Sequence, residues 1–131
     1  MCPRIFECAL KYWTETIGAG PCFSIEHVKL KEVKYRGQPS DIDFSMMLGY
    51  FGDTQIELIR QHNQAPSIFK AWHDERREGL HHVCILVEDL ANARAVCEQA
   101  CVAITQEVIV PGGGEVIYVD TRGGPGTLLE S

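Results

Sequence analysis

The chain has little positive charge: its 131 residues include 12 Lys and Arg against 18 Asp and Glu, a formal net charge of −6. That balance argues against nucleic acid as a partner, because affinity for a phosphate backbone comes largely from Lys and Arg. A polybasic patch for a membrane surface is unsupported for the same reason. No stretch approaches the roughly 18 consecutive apolar residues that span a bilayer, and the opening MCPRIFECALKYW lacks a basic region followed by an apolar core and cleavage site. No membrane association is expected, and the expected compartment is the cytosol. Cys-x-x-Cys pairs are also lacking. Cys97 and Cys101 stand one helical turn apart, but without a second pair they read as small packing residues; all six cysteines are expected to be reduced. A Gly-Lys-Ser/Thr or Gly-x-Gly-x-x-Gly phosphate loop is missing too, so PGGG at 111–114 and GGPG at 123–126 read as turns.

What is there belongs to an ordinary globular protein, with 45% hydrophobic and 23% charged residues. The length suits one domain, or two half-domains sharing a core. Residues 80–88 (LHHVCILVE) are rich in aliphatic and β-branched side chains and lead to Asp89, an N-cap type, after which LANARAVCEQAC has helical apolar spacing ending near Val102. ITQEVIV, EVIYVD and TLLE then follow as strands separated by glycine-rich turns. The order is β-α-β-β-β. The first half repeats it with one part missing: ALKYWTETIG predicts a helix closed by Gly18 and Gly20, and CFSIEHVKL, DFSMMLGYF and TQIELIRQ predict strands, but no strand precedes the helix. Residues 62–79 form a polar connector with Pro66 and a short helix, in which His62 and His73 are expected to be solvated. Tyr12, Trp13 and Phe23 are expected in the core. The fold class is therefore α+β: two tandem βαβββ modules with curved, mostly antiparallel sheets around a concave cavity. Module one covers about 1–61 and module two 80–131. A repeat of this size implies that neither unit buries its sheet face alone.

Strand alternation picks out the groups able to do chemistry. In TQIELIRQ, Ile56 and Leu58 share one face, which leaves Glu57 on the other; in HHVCILVE, His82, Cys84 and Leu86 lie opposite Val83, Ile85 and Val87; in the last strand Glu130 is in phase with Leu128. One imidazole and two carboxylates on a common sheet face suit a divalent ion such as Zn, Mn, Co, Ni or Fe, with an open position for a chelating substrate. The structural alternative is a solvated Glu and an ordinary hydrogen-bonded His with no cofactor. Met46 and Met47 face opposite ways, so one of them at most lines a cavity; Phe44 and Met46, in phase with each other, are the candidate binding wall, with Cys84 beside His82.

Three segments carry a family resemblance. GLHHVCILVEDLANA resembles the strand-helix opening of a vicinal oxygen chelate module, in which a histidine directly precedes a hydrophobic strand ending in Val-x-Asp-Leu. FGDTQIELI and GPGTLLES are similar to the closing strands of the first and second modules. The resemblance, closest to methylmalonyl-CoA epimerase and glyoxalase-like members, implies His82, Glu57 and Glu130 as metal ligands, with His81 a neighbour. It also implies that Glu57 or Glu130 is the base that moves a proton next to a carbonyl, which requires a raised pKa.

The chain departs from that pattern at its start. Aligning the two helices places the module-one counterpart of His82 before Met1, and the alternative alignment leaves Glu7 at the ligand position although it opens the first helix. Three readings are open: a protein that has abandoned metal, part of a longer gene product, or a homodimer in which a partner chain supplies the missing strand or ligand. An unpaired sheet edge makes the homodimer the default. The functional alternatives are a metal-dependent isomerase, epimerase or lyase acting on a small carbonyl or acyl-thioester substrate, a metal-free small-molecule-binding protein of the bleomycin-resistance type, and a truncated chain without activity.

Overall fold

The computed structural model describes residues 3–18, 20–77, 80–120 and 128–130, with side chains described over 7–18, 20–77 and 80–120. The first helix, α1 (Pro3–Lys11), opens on a proline, whose missing N–H costs nothing in the first turn. It runs into a π-helical turn at Tyr12–Thr16, where the Thr14 hydroxyl donates to the Leu10 carbonyl at 2.7 Å, and Gly18 at φ +82° lets the chain leave the helix.

Two compact units follow from the contacts, one of Met1–Val28 with Ile42–Gln64 and the other of Lys29–Asp41 with Ala65–Ser131. The first holds a three-stranded antiparallel sheet of β1 (Cys22–Ile25), β4 (Phe44–Phe51) and β5 (Thr54–Gln61) in the order β1-β4-β5. β4 and β5 meet at a two-residue turn that pairs Phe51 with Thr54, with Gly52 at φ +60°, the sign of φ that a tight hairpin requires at its first central position. Met47 is 3% exposed and, by register, shares its sheet face with Ser45, Gly49, Ile56 and Leu58.

In the second unit a six-stranded sheet runs in the order β3-β2-β7-β8-β9-β6. Its strands are β2 (Glu32–Tyr35), β3 (Gln38–Pro39), β6 (His82–Cys84), β7 (Ile104–Ile109), β8 (Glu115–Asp120) and β9 (Leu128–Glu130). All neighbours are antiparallel except β6 and β9, which are parallel. Within module two this is the βαβββ pattern: the opening strand β6 lies beside the closing strand β9, and α3 (Leu90–Gln99) leads from β6 to β7. Asp89 caps α3, its Oδ1 accepting the Asn92 N–H at 3.2 Å. The connector helix α2 (Ile68–Asp74) is capped by Ser67, whose hydroxyl accepts the Lys70 N–H at 2.9 Å. Ile117, fully buried, and Val33, Ile68, Val108, Tyr118 and Val119 form the core.

Two expectations are corrected. The run CFSIEHVKL is a strand only over Cys22–Ile25: His27 takes φ +46°, a left-handed conformation that ends an extended run. The chain then forms the β2–β3 hairpin, unforeseen in the sequence, turning at Arg36 (φ +51°) and Gly37 (φ +79°), the paired positive φ values of a type I′ turn. Tyr12 and Phe23, expected in the core, are 50% and 56% exposed. The turn expected at 111–114 is present, closed by the Val110 N–H on the Gly114 carbonyl at 2.8 Å; the one expected at 123–126 lies outside the described residues.

Candidate functional site

Glu57 sits in β5 opposite Leu48 of β4. Alternation and register place Phe23, Ile25, Phe44, Met46, Leu48 and Ile59 on the same face as Glu57. Phe44 is 5% exposed, whereas Phe23 and Ile25 stand open at 56% and 41%. Glu57 is thus a carboxylate on an apolar, half-open sheet face of the first unit, which Phe44 and Met46 share.

In the second unit His82 opens β6, half-buried, with its ring 5.5 Å from that of Tyr118 in an edge-on arrangement. The register sets Cys84 and Tyr118 on either side of Glu130 in β9; the Glu130 side chain lies outside those described. Cys84 is exposed. The pairing of β6 with β9 therefore sets the backbone of Cys84 opposite that of Glu130, with His82 two residues along the strand opposite Leu128, while Glu57 belongs to the other unit. Among the described residues, no three His, Cys, Asp or Glu side chains gather as a metal cage.

His81, the neighbour, is more enclosed than His82. Its ring packs 4.8 Å from Trp72 and 5.3 Å from Phe69, both on α2. Its Nε2 lies 3.3 Å from the Ile68 carbonyl oxygen and its Nδ1 2.8 Å from Nδ1 of His82. Burial pushes the His81 imidazole down to about 4, helped by His82 and Arg77 and opposed by the Ile68 carbonyl. α2 is itself held by a buried polar contact, the Ile68 N–H donating to Gln106 Oε1 at 3.0 Å.

A second cluster, which the sequence did not suggest, occupies the first unit. Buried Ser45 donates to Glu26 Oε2 at 3.0 Å, accepts the His27 backbone N–H at 3.0 Å and meets His62 Nε2 at 2.7 Å. The His27 and His62 rings stack at 4.6 Å, and His27 Nδ1 lies 2.6 Å from Asp43 Oδ1. That hydrogen bond and the Asp43 charge raise the His27 pKa. Since the Ser45 proton goes to the Glu26 carboxylate, the proton between Ser45 and His62 belongs to His62 Nε2. Ser45 is then a buried structural node, not an activated nucleophile, and His62, exposed as expected, supplies one of its three contacts.

Residues 4–119 match the family model of the glyoxalase/bleomycin resistance protein/dioxygenase superfamily. The chain belongs to this superfamily. Its fold is also that of a hypothetical protein from Bacillus halodurans C-125 with a crystal structure, at TM-score 0.62 and 19% identity over 95% of this chain and 82% of that one. No curated protein matches the chain. Superfamily membership agrees with the resemblance read from GLHHVCILVEDLANA and with the βαβββ order of module two. No helix among the described residues is long and apolar enough to cross a membrane.

Proposed function

We propose that this superfamily member is a metal-dependent isomerase, epimerase or lyase acting on a small carbonyl or acyl-thioester substrate, with His82, Glu57 and Glu130 at the ion. The observation that carries the reading is the placing of a half-buried imidazole, His82, on the strand that lies beside Glu130 in the sheet. One imidazole and two carboxylates are a donor set that a divalent ion of the Zn or Mn kind accepts. When bound, the ion would polarise the substrate carbonyl and stabilise the negative charge that builds on its oxygen. Glu57 or Glu130 would take the proton next to that carbonyl. Phe44, Met46 and the apolar face around Glu57 would hold the substrate's carbon skeleton out of water.

The test is elemental analysis of protein purified without an affinity tag, beside His82→Ala. A stoichiometric divalent ion that disappears in the variant is the expected result. No ion in the native protein, even after incubation with Zn, Mn, Co and Ni, would remove the metal mechanism.

The exposed Phe23 and Ile25, on the same sheet face as Glu57, favour a second reading, a metal-free binding protein of the bleomycin-resistance type. Chelator-treated protein would then bind the apolar anion 8-anilinonaphthalene-1-sulfonate and lose it on Phe23→Asp; equal fluorescence in both proteins would sink this reading. Both readings go with a cytosolic location and a homodimer; for the dimer the support is that β1 and β5 are edges of a short sheet among the described residues, and edges invite a strand from a second copy. Sedimentation at the monomer mass would rule the dimer out.

A further inference from the structure

The chain leaves β1 through a backbone conformation that few residues other than glycine take. His27 stands at φ +46°, in the left-handed region where a side chain adds strain, so contacts elsewhere must hold it there. Its backbone N–H donates to Ser45 Oγ at 3.0 Å, its Nδ1 lies 2.6 Å from Asp43 Oδ1, and its ring stacks on that of His62 with centroids 4.6 Å apart. The next amide, that of Val28, donates to the Phe44 carbonyl at 2.8 Å. His62 is anchored in turn: its Nε2 lies 2.7 Å from Ser45 Oγ, and its backbone N–H donates to the Asp43 carbonyl at 2.7 Å. A carboxylate only accepts, so His27 Nδ1 carries a hydrogen, and His62 Nε2 donates to Ser45. The nitrogens left to gain or lose a proton are His27 Nε2 and His62 Nδ1. The His27 side chain is 62% exposed and His62 is exposed as well, so both exchange protons with solvent.

Charge on this pair changes how firmly it holds. A proton on His27 turns the contact with Asp43 into a charge-assisted hydrogen bond, stronger than a neutral one. That hydrogen bond and the Asp43 charge raise the His27 pKa. A second proton, on His62, sets two cations 4.6 Å apart, and they repel. The neighbouring charges do not cancel that repulsion. Asp43 is committed to His27, Glu26 is reached from His62 only through the Ser45 hydroxyl, and Arg60, across from Ser45 in the β4–β5 register, adds a further positive charge. The pair therefore takes its two protons in separate steps, the first on His27.

We propose that His27 and His62 form a pH-sensitive latch on the turn that ends β1, closed most firmly when His27 alone is charged and loosened when both rings are neutral or both are charged. What it holds is an edge strand. Among the described residues β1 pairs only with β4, and it carries Phe23 and Ile25 onto the face that bears Glu57. Loosening the turn frees the Ile25 end of that strand. All the groups of the latch belong to the first unit, and the latch depends on neither functional reading above.

The experiment is hydrogen exchange at single amides together with histidine titration, both by NMR, on the native protein in the presence of a chelator. The range is about pH 5 to pH 9, which brackets most protein histidines. Protection factors, corrected for the pH dependence of the intrinsic rate, are read at His27 and Val28, with Ile117 of the six-stranded sheet as the measure of global unfolding. The expected profile at His27 and Val28 lies below that of Ile117 and has a maximum where His27 alone is charged. It falls by about 2- to 5-fold on either side, the scale of an exposed ion pair. His62→Phe keeps a ring against His27 and removes the second charge, so it is expected to abolish the acid fall and keep the alkaline one. Asp43→Asn keeps an acceptor for Nδ1 without its charge and is expected to flatten the alkaline fall. A flat native profile, a first proton found on His62, protection equal to that of Ile117, or an acid fall that survives His62→Phe overturns the proposal. The native measurement needs no variant to fold.

Discussion

Acidification should unfold the protein partly through His81. Its imidazole is held at about 4 by burial against Phe69 and Trp72, compared with an ordinary 6.5. Between those two values the unfolded chain binds a proton that the folded chain refuses, so the free energy of unfolding falls as pH falls. The full stability is present above about 6.5 and is lost progressively down to about 4. The difference corresponds to about 3 kcal/mol, at about 1.4 kcal/mol for each tenfold change in proton affinity. That is a large share of the roughly 5–15 kcal/mol that holds a typical domain together. Urea unfolding in the presence of a chelator, repeated between about pH 4 and pH 7, gives the midpoint and slope at each pH. His81→Phe is the control, because it keeps the ring and removes the titration. The gap between native and variant should close by about 3 kcal/mol in the variant's favour as the pH falls through that window. Parallel profiles for the two proteins would refute the reasoning. His27 acts with the opposite sign: Asp43 raises its pKa, so its contribution is complete below about 6.5 and is lost as pH rises through the folded value. Asp43→Asn should flatten that upper limb and leave the lower one alone.

Two further substitutions test the buried polar contacts. Ser45→Ala removes the acceptor of the His27 N–H and the partner of both Glu26 and His62, and should cost about 2–3 kcal/mol in urea unfolding; a loss under about 0.5 kcal/mol would mean that water replaces all three contacts. Gln106→Ala leaves the Ile68 N–H unpaired and opens space at a residue 1% exposed, for an expected loss of about 2–4 kcal/mol. Gln106→Leu should cost less than Gln106→Ala, because both remove Nε2, a buried donor with no partner among the described residues, but only Leu fills the space; equal losses would show that packing at this position contributes nothing.

The second half of the chain was legible because its signals are local. Asp89 before an apolar helical run, and Gly112 and Gly113 between two β-branched runs, specify a helix start and a turn without any help from the rest of the molecule. Both are found where the sequence put them. The first half was harder at the points where the backbone changes course through non-glycine residues. CFSIEHVKL alternates well enough to read as one strand, yet it breaks at His27, where φ is +46°. A histidine there has no sequence signature, because the conformation is compensated by contacts with Ser45 and Asp43, 18 and 16 residues away. The hairpin at Arg36 and Gly37 did leave a trace, the glycine after Tyr35 and Arg36, but it lies between the expected strands CFSIEHVKL and DFSMMLGYF, in residues to which no element was assigned.

The histidines show why a site is harder to read than a fold. Alternation separates His81 from His82 by side, and the family pattern then assigns the ligand to His82; neither says anything about what His81 touches. That depends on α2, whose Ile68 lies 13 residues earlier in a connector read as polar with a short helix. The connector is amphipathic over one short helix: Ser67 and Ile68 are buried, Phe69 and Trp72 face His81, and Lys70 pairs with Asp74 at 2.5 Å on the exposed side. Seven residues are too few for helical periodicity to stand out against the charged run that follows. The residue expected to bind the ion was therefore visible from its own strand, whereas the packing of its neighbour His81 becomes visible only when the connector is folded against it.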